Sequence, residues 1–136
     1  MKTNAVRTKK IAERENLMQM LYQMNIQNDY SQDAYDSFMQ MTENPVTKYS
    51  KELYDAFAAH REEIDKEIGD HSNKWKLDRM PAVDLSILRL ALTEIHYIDT
   101  IPVSVSINEA VNLAKKFSTE KSSSFINGIL GNIVNK

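Results

Sequence analysis

Apolar residues recur every three or four positions along most of this chain, and the strict alternation of a half-buried strand has almost no support. Leu17, Met20, Leu21 and Met24 fall at i, i+3, i+4 and i+7, which predicts a first helix starting between Asn4 and Lys9 and running to about Gln27. A short second helix is expected after Ser31, with Ala34, Phe38 and Met41 inward, stopping before Pro45. Over 47–69, Tyr49, Leu53, Phe57, His60, Ile64 and Ile68 keep three- and four-residue spacings. They predict either one helix or two with a break near His60, ended by Gly69.

From Trp75 the composition shifts, and Pro81 suits a first helical turn. In the helix that follows, Ser86, Arg89 and Thr93 form a narrow polar wedge, while Val83, Leu85, Ile87, Leu88, Leu90, Ala91, Leu92 and Ile95 cover most of the rest. A helix apolar nearly all round is buried on several sides, so this one is the expected core strut. In "IPVSVSINEA", Ser106 and Glu109 read as a capping box, with Val105 and Ala110 as its hydrophobic staple. Ile107, Ala110, Val111, Ala114 and Phe117 then line one helix, and Ile126, Ile129, Leu130 and Ile133 line the last. Between them "FSTEKSSSFINGIL" reads as a small polar loop flanked by apolar segments. Ser124, Gly128 and Gly131 share a helical face, and a glycine costs about 1 kcal/mol per helix position relative to alanine. The pair therefore predicts a close approach to the backbone, by a neighbouring helix ahead of a ligand. The fold class is all-α.

Composition narrows the chemistry. The 136 residues suffice for one domain with a real core, and 42% hydrophobic with 26% charged argues against disorder. The absence of cysteine excludes disulfides, zinc–thiolate sites and thiol catalysis. The first sixteen residues are polar and basic, so no secretory signal is expected. The longest apolar block, "LSILRLAL", falls far short of the roughly 20 residues that span a bilayer, and the expected location is the cytoplasm. No glycine-rich phosphate loop, nucleophile elbow or H-E-x-x-H is present. His60, His71 and His96 are scattered and read as structural, and the carboxylates of "REEIDKEIGD" read as a solvated face. Neither catalysis nor a metal or cofactor is expected.

Net charge is −2, unevenly spread. Lys2, Arg7, Lys9, Lys10 and Arg14 outnumber Glu13 and Glu15 at the start, and Lys115, Lys116, Lys121 and Lys136 outnumber Glu109 and Glu120 at the end. The middle is acidic. Either this is a chance split of solvated charge, or the two ends meet and present one basic face.

"DRMPAVDLSILRLALTEI" followed by "IPVSVSINEAVNLAKKFSTEKSSSFINGILGNI", with "ERENLMQMLYQM" near the start, resembles the NusB family of transcription antitermination factors. The likeness covers essentially the whole chain and is strongest over 75–133. It implies one non-catalytic domain of about seven helices in two packed subdomains, approximately 1–73 and 74–136. It also implies binding of single-stranded boxA RNA, pairing with the ribosomal protein that acts as NusE, and loading onto transcribing RNA polymerase during ribosomal RNA synthesis. Some relatives self-associate, so a homodimer is a further implied possibility.

The family's RNA surface combines an arginine-rich N-terminal segment with the loop between its last two helices. Here those places are Arg7, Lys9, Lys10 and Arg14, and 117–125 with the approach Lys115 and Lys116. Single-stranded RNA is held by cations on phosphates, polar groups on sugars and base edges, and aromatic stacking. Lys115, Lys116, Lys121, Ser122, Ser123, Phe125 and Asn127 are residues of those types. Ser122 and Ser123 serve equally well as helix caps, and Phe117 continues an apolar stripe and reads as core. For the protein partner the matching residues are Tyr22 and Asp84, with Met18 on the same helical edge as Tyr22; Asp84 reads equally as a first-turn carboxylate. Ile11 and Ala12 stand where many members are basic, and "HYIDTIP" lacks their lysine and arginine, which implies weaker RNA binding without NusE. Two alternatives remain: an interaction module that has lost RNA, and an RNA-modifying enzyme, disfavoured because no glycine-rich cofactor segment follows.

Overall fold

Among the described residues of the computed structural model, helices are the only regular secondary structure. Those residues are 2–43, 47–72 and 77–135; over 2–8 the description is of backbone alone. Pro45, Trp75 and the boundary near 73–74 lie outside them. Helix α1 spans Lys2–Gln27, α2 Gln32–Met41, α3 Lys48–His71, α4 Ala82–Tyr97, α5 Val103–Phe117 and α6 Glu120–Val134, with a 3-10 turn at Leu77–Arg79.

The helix ends follow from local chemistry. Asn28 adopts φ 52°, the left-handed conformation asparagine tolerates, and Asp29 N–H bonds back to the Met24 carbonyl at 3.0 Å, closing α1. The Ser31 hydroxyl caps α2 by accepting from Ala34 N–H. Helix α3 leaves helical geometry at His60 (φ −125°, ψ 16°), so two helical stretches meet there at a kink, where the break was expected. It continues past Gly69 to His71. Gly69 is small for another reason: a Cβ there would come within 3.2 Å of the Leu77 side chain.

Helix α4 is the strut, packed against α1, α3, α5 and α6. Every residue from Asp84 to Glu94 is buried, and each large aliphatic among them contributes roughly 1.5–3 kcal/mol by leaving water. Its polar wedge is inside as well, and it is satisfied there. Ser86 and Thr93 hydroxyls donate to carbonyls one turn back, and Arg89 makes a two-pronged pair with Asp65 at 2.9 and 2.8 Å.

Three expectations change. The inward residues of α2 are Tyr35 and Met39, with Ala34 and Phe38 beside them, whereas Met41 is 86% exposed. The stripe is rotated because Tyr35 packs on the Tyr54 ring and Asn16 reaches the Met39 sulfur. Ser106 is not a cap: α5 begins at Val103 behind Pro102, and the Ser106 hydroxyl donates to Glu94 at 2.8 Å. Among the described residues nothing lies within 4 Å of where a Cβ would sit on Gly128 or Gly131, so no described helix approaches them closely.

Candidate nucleic-acid interface

The end of α5, the start of α6 and the first half of α1 supply the candidate site. Only Ser118 and Thr119 separate α5 from α6, so the loop expected over 117–125 is a two-residue corner. Thr119 makes the corner abrupt: its hydroxyl accepts from Ser122 N–H at 3.0 Å and caps α6. Sequence reasoning missed this cap, although a threonine two residues after the last stripe residue, with glutamate next, was its signal.

The corner carries most of the expected RNA residues. Lys115 and Lys116 occupy the last turn of α5, where cations offset the helix dipole, and Lys121 lies exposed in the first turn of α6. Asn127 is exposed one and a half turns further on, and Phe125 and Phe117 are half-buried against the core. Ser122 is partly exposed. Ser123 is buried, with its hydroxyl on the Glu120 carbonyl at 2.8 Å, so its side chain serves the helix.

One contact joins the basic ends. Lys116 Nζ lies 2.7 Å from Glu15 Oε2 on α1, across 101 positions of sequence. Glu15 sits five and six residues beyond Lys10 and Lys9, roughly 8–9 Å along the helix axis. Lys9 is exposed. Lys10 reaches toward α3, its ammonium 3.7 Å from the Tyr49 ring centroid and 3.6 Å from Glu13. Arg7 belongs to the helical backbone of α1, and its side chain lies outside the described residues.

Arg14 is placed differently from the expectation. It is 5% exposed, and its Nε is 2.8 Å from Glu94 Oε2. The same carboxylate accepts the hydroxyls of Tyr49 and Ser106. Burial, reinforced by the Glu94 charge, pushes the Tyr49 hydroxyl far above the usual phenol range, so Tyr49 remains a neutral donor. With its guanidinium spent inside, Arg14 is no longer among the phosphate-facing cations. It shares the apolar stripe of Leu17 and Leu21, which was the available clue.

The three partner residues divide. Tyr22 is 37% exposed, whereas Met18 and Asp84 are buried. Asp84 accepts from the Ser118 hydroxyl at 3.0 Å and so holds the α5–α6 corner against the first turn of α4.

Comparison with known proteins adds the lineage. A model of the NusB family matches residues 11–135. The transcription antitermination protein NusB of Finegoldia magna is 41% identical over 126 residues, spanning 90% of this chain and 91% of that protein. The solved structure of NusB from T. maritima superposes with a TM-score of 0.80 at 30% identity, over 93% of this chain and 90% of that one. A solved complex of the antitermination factors NusB and NusE with dsRNA matches at a TM-score of 0.81 and 26% identity, over 94% and 97%.

Proposed function

The chain belongs to the NusB family, and from that premise we propose that it is a transcription antitermination factor that binds boxA-type RNA together with NusE. It works in the RNA polymerase complex that makes ribosomal RNA, in the cytoplasm, by holding molecules together rather than by catalysis. No helix among the described residues is long and apolar enough to cross a membrane. A similar solved complex containing both NusE and RNA favours this reading over an adaptor without RNA.

The observation that carries the RNA surface is the Lys116–Glu15 contact, which brings the α5–α6 corner beside the basic start of α1. Lys116 is 61% exposed there, and an exposed pair is worth about 0–1 kcal/mol, so a phosphate can take the lysine from Glu15. In this reading Lys9, Lys115, Lys116 and Lys121 meet phosphates, Arg7 extends the track, and Ser122, Asn127 and the open edge of Phe125 meet sugars or bases. Lys10 serves through its place over Tyr49, and Tyr22 belongs to the protein partner's surface. Single-stranded RNA fits these groups better than a duplex, since unstacked bases can lie against an aromatic edge.

The test is an amide-shift map with a boxA-type single strand, repeated with a duplex of the same sequence. Residues 7–14 and 115–127 should respond together, and to the single strand more strongly. Shifts confined to one of the two segments would remove the shared surface.

A further inference from the structure

Residues of α1, of α2 and of the segments following them line a groove of about 810 Å³. Its α1 wall is a row of amides, Gln19, Gln23 and Gln27, at i, i+4 and i+8. None of the three has a hydrogen-bond partner among the described residues. Asp29, Asp33 and Glu43 also line the groove, and among the described residues no lysine or arginine does. Lys51, the cation bonded to α2, serves Gln32 and Asp55 and lies over the Tyr35 and Tyr54 rings, away from the lining. Hydrogen bonds from Ser31 hold the Asp29 carboxyl below its usual range, so its charge persists into mild acid.

The groove also has an apolar side. Phe38 is half-buried in it, and Met41 stands 86% exposed on its rim, an adaptable side chain that its own fold leaves uncovered. One position round α1 from the amide row, Ile26 is 59% exposed, and it leads to Tyr22.

Spacing identifies what fits. Glutamines four apart on a helix are about 6 Å apart, close to the roughly 6.7 Å two-residue repeat of an extended chain. Each primary amide both donates and accepts, so one glutamine can pair with the N–H and C=O of a peptide group. We propose that the α1–α2 groove docks an extended, basic segment of a partner protein. The glutamine row bonds alternate peptide groups, the three carboxylates receive lysine or arginine heads, and the stems of those side chains lie along Phe38 and Met41. This surface is separate from the RNA face, which uses none of these residues.

A fluorescently labelled peptide of alternating arginine and valine, about ten residues long so as to cover the row, is the probe, titrated against the whole chain. Binding should move amides at 19–27 and 33–43. Asp33→Lys combined with Glu43→Lys should weaken it about tenfold or more by charge reversal, and Gln23→Ala should weaken it severalfold. The urea midpoint and boxA-type RNA affinity should stay unchanged in both. The proposal is overturned by no binding at about 1 mM peptide, or by equal binding of a peptide with glutamate for arginine. Equal binding by the charge-reversed variant, or shifts on the acidic face of α3 instead, also overturns it. So does concentration-dependent self-association that Met41→Lys abolishes, which would make a second copy the occupant.

Discussion

Arg14 and Glu94, 80 positions apart in sequence, form a 2.8 Å ion pair with both side chains almost closed to solvent. Tyr49 and Ser106 donate to the same carboxylate. Four helices, α1, α3, α4 and α5, therefore converge on one buried charge, and α1 and α5 carry Lys9, Lys115 and Lys116, three of the cations proposed to meet RNA.

Removing one partner of such a pair strands the other. Arg14→Ala should cost about 3–5 kcal/mol, and Arg14→Glu more, because it sets a second carboxylate against Glu94. Urea unfolding measures both. Arg14→Met combined with Glu94→Leu should recover only part of the loss, since apolar groups replace the desolvated pair but leave the Tyr49 and Ser106 hydroxyls without their acceptor. A loss below about 1 kcal/mol for Arg14→Ala would mean the guanidinium is solvated after all.

Surface cations should behave in the opposite way. Lys121→Glu and Lys116→Glu are expected to leave the urea midpoint nearly unchanged while each weakens boxA-type RNA binding. With four phosphate contacts the log–log salt slope should lie near −2.8, about a fiftyfold loss in affinity between 50 and 200 mM salt. A flat salt response in the same titration would remove phosphate contacts from the mechanism.

Much of this architecture is legible in the residue pattern, and the misreadings share a cause. Leu17, Met20, Leu21 and Met24 are all buried as their spacing demands, and so are Ile126, Ile129, Leu130 and Ile133. Period reports burial well because one helix face must leave water. Arg14 and Ser106 were misread because their roles are set by Glu94, remote from both in sequence and invisible to local spacing. The loop over 117–125 was misread because three serines look like a connection, whereas one threonine cap suffices to start α6 at Glu120. The meeting of Lys116 with Glu15 could be posed from charge segregation, but only tertiary packing brings the two together.

Tyr49 gives this hub a pH signature. Its folded-state pKa lies above the ordinary value of 10.0, first because it is buried and then because Glu94 is adjacent. The neutral hydroxyl's contribution is fully present below about pH 10 and is lost as pH rises further, because the unfolded chain releases a proton that the folded chain retains. Wild type should therefore lose stability more steeply than Tyr49→Phe above pH 10, by up to about 1.4 kcal/mol per pH unit. Tyr35, Tyr54 and Tyr97, whose pKa values are also raised, are common to both proteins and cancel in the difference. Parallel curves for the two proteins would show that Tyr49 ionises freely.

Gly128 and Gly131 offer a test in the stabilising direction. Both lie within α6 without positive φ, and an added Cβ at either meets nothing within 4 Å. Alanine there should narrow the unfolded ensemble and favour the helix, raising stability by about 0.5–1 kcal/mol per site. Because an added Cβ at either site meets none of the residues around Glu94, the gain should add to the effect of any change at Arg14. Urea midpoints of the two single variants and the double variant measure this directly. If instead either alanine lowers stability, the outer face of α6 is covered by something the isolated chain brings to it. Sedimentation of the same variants would then reveal whether that cover is a second copy.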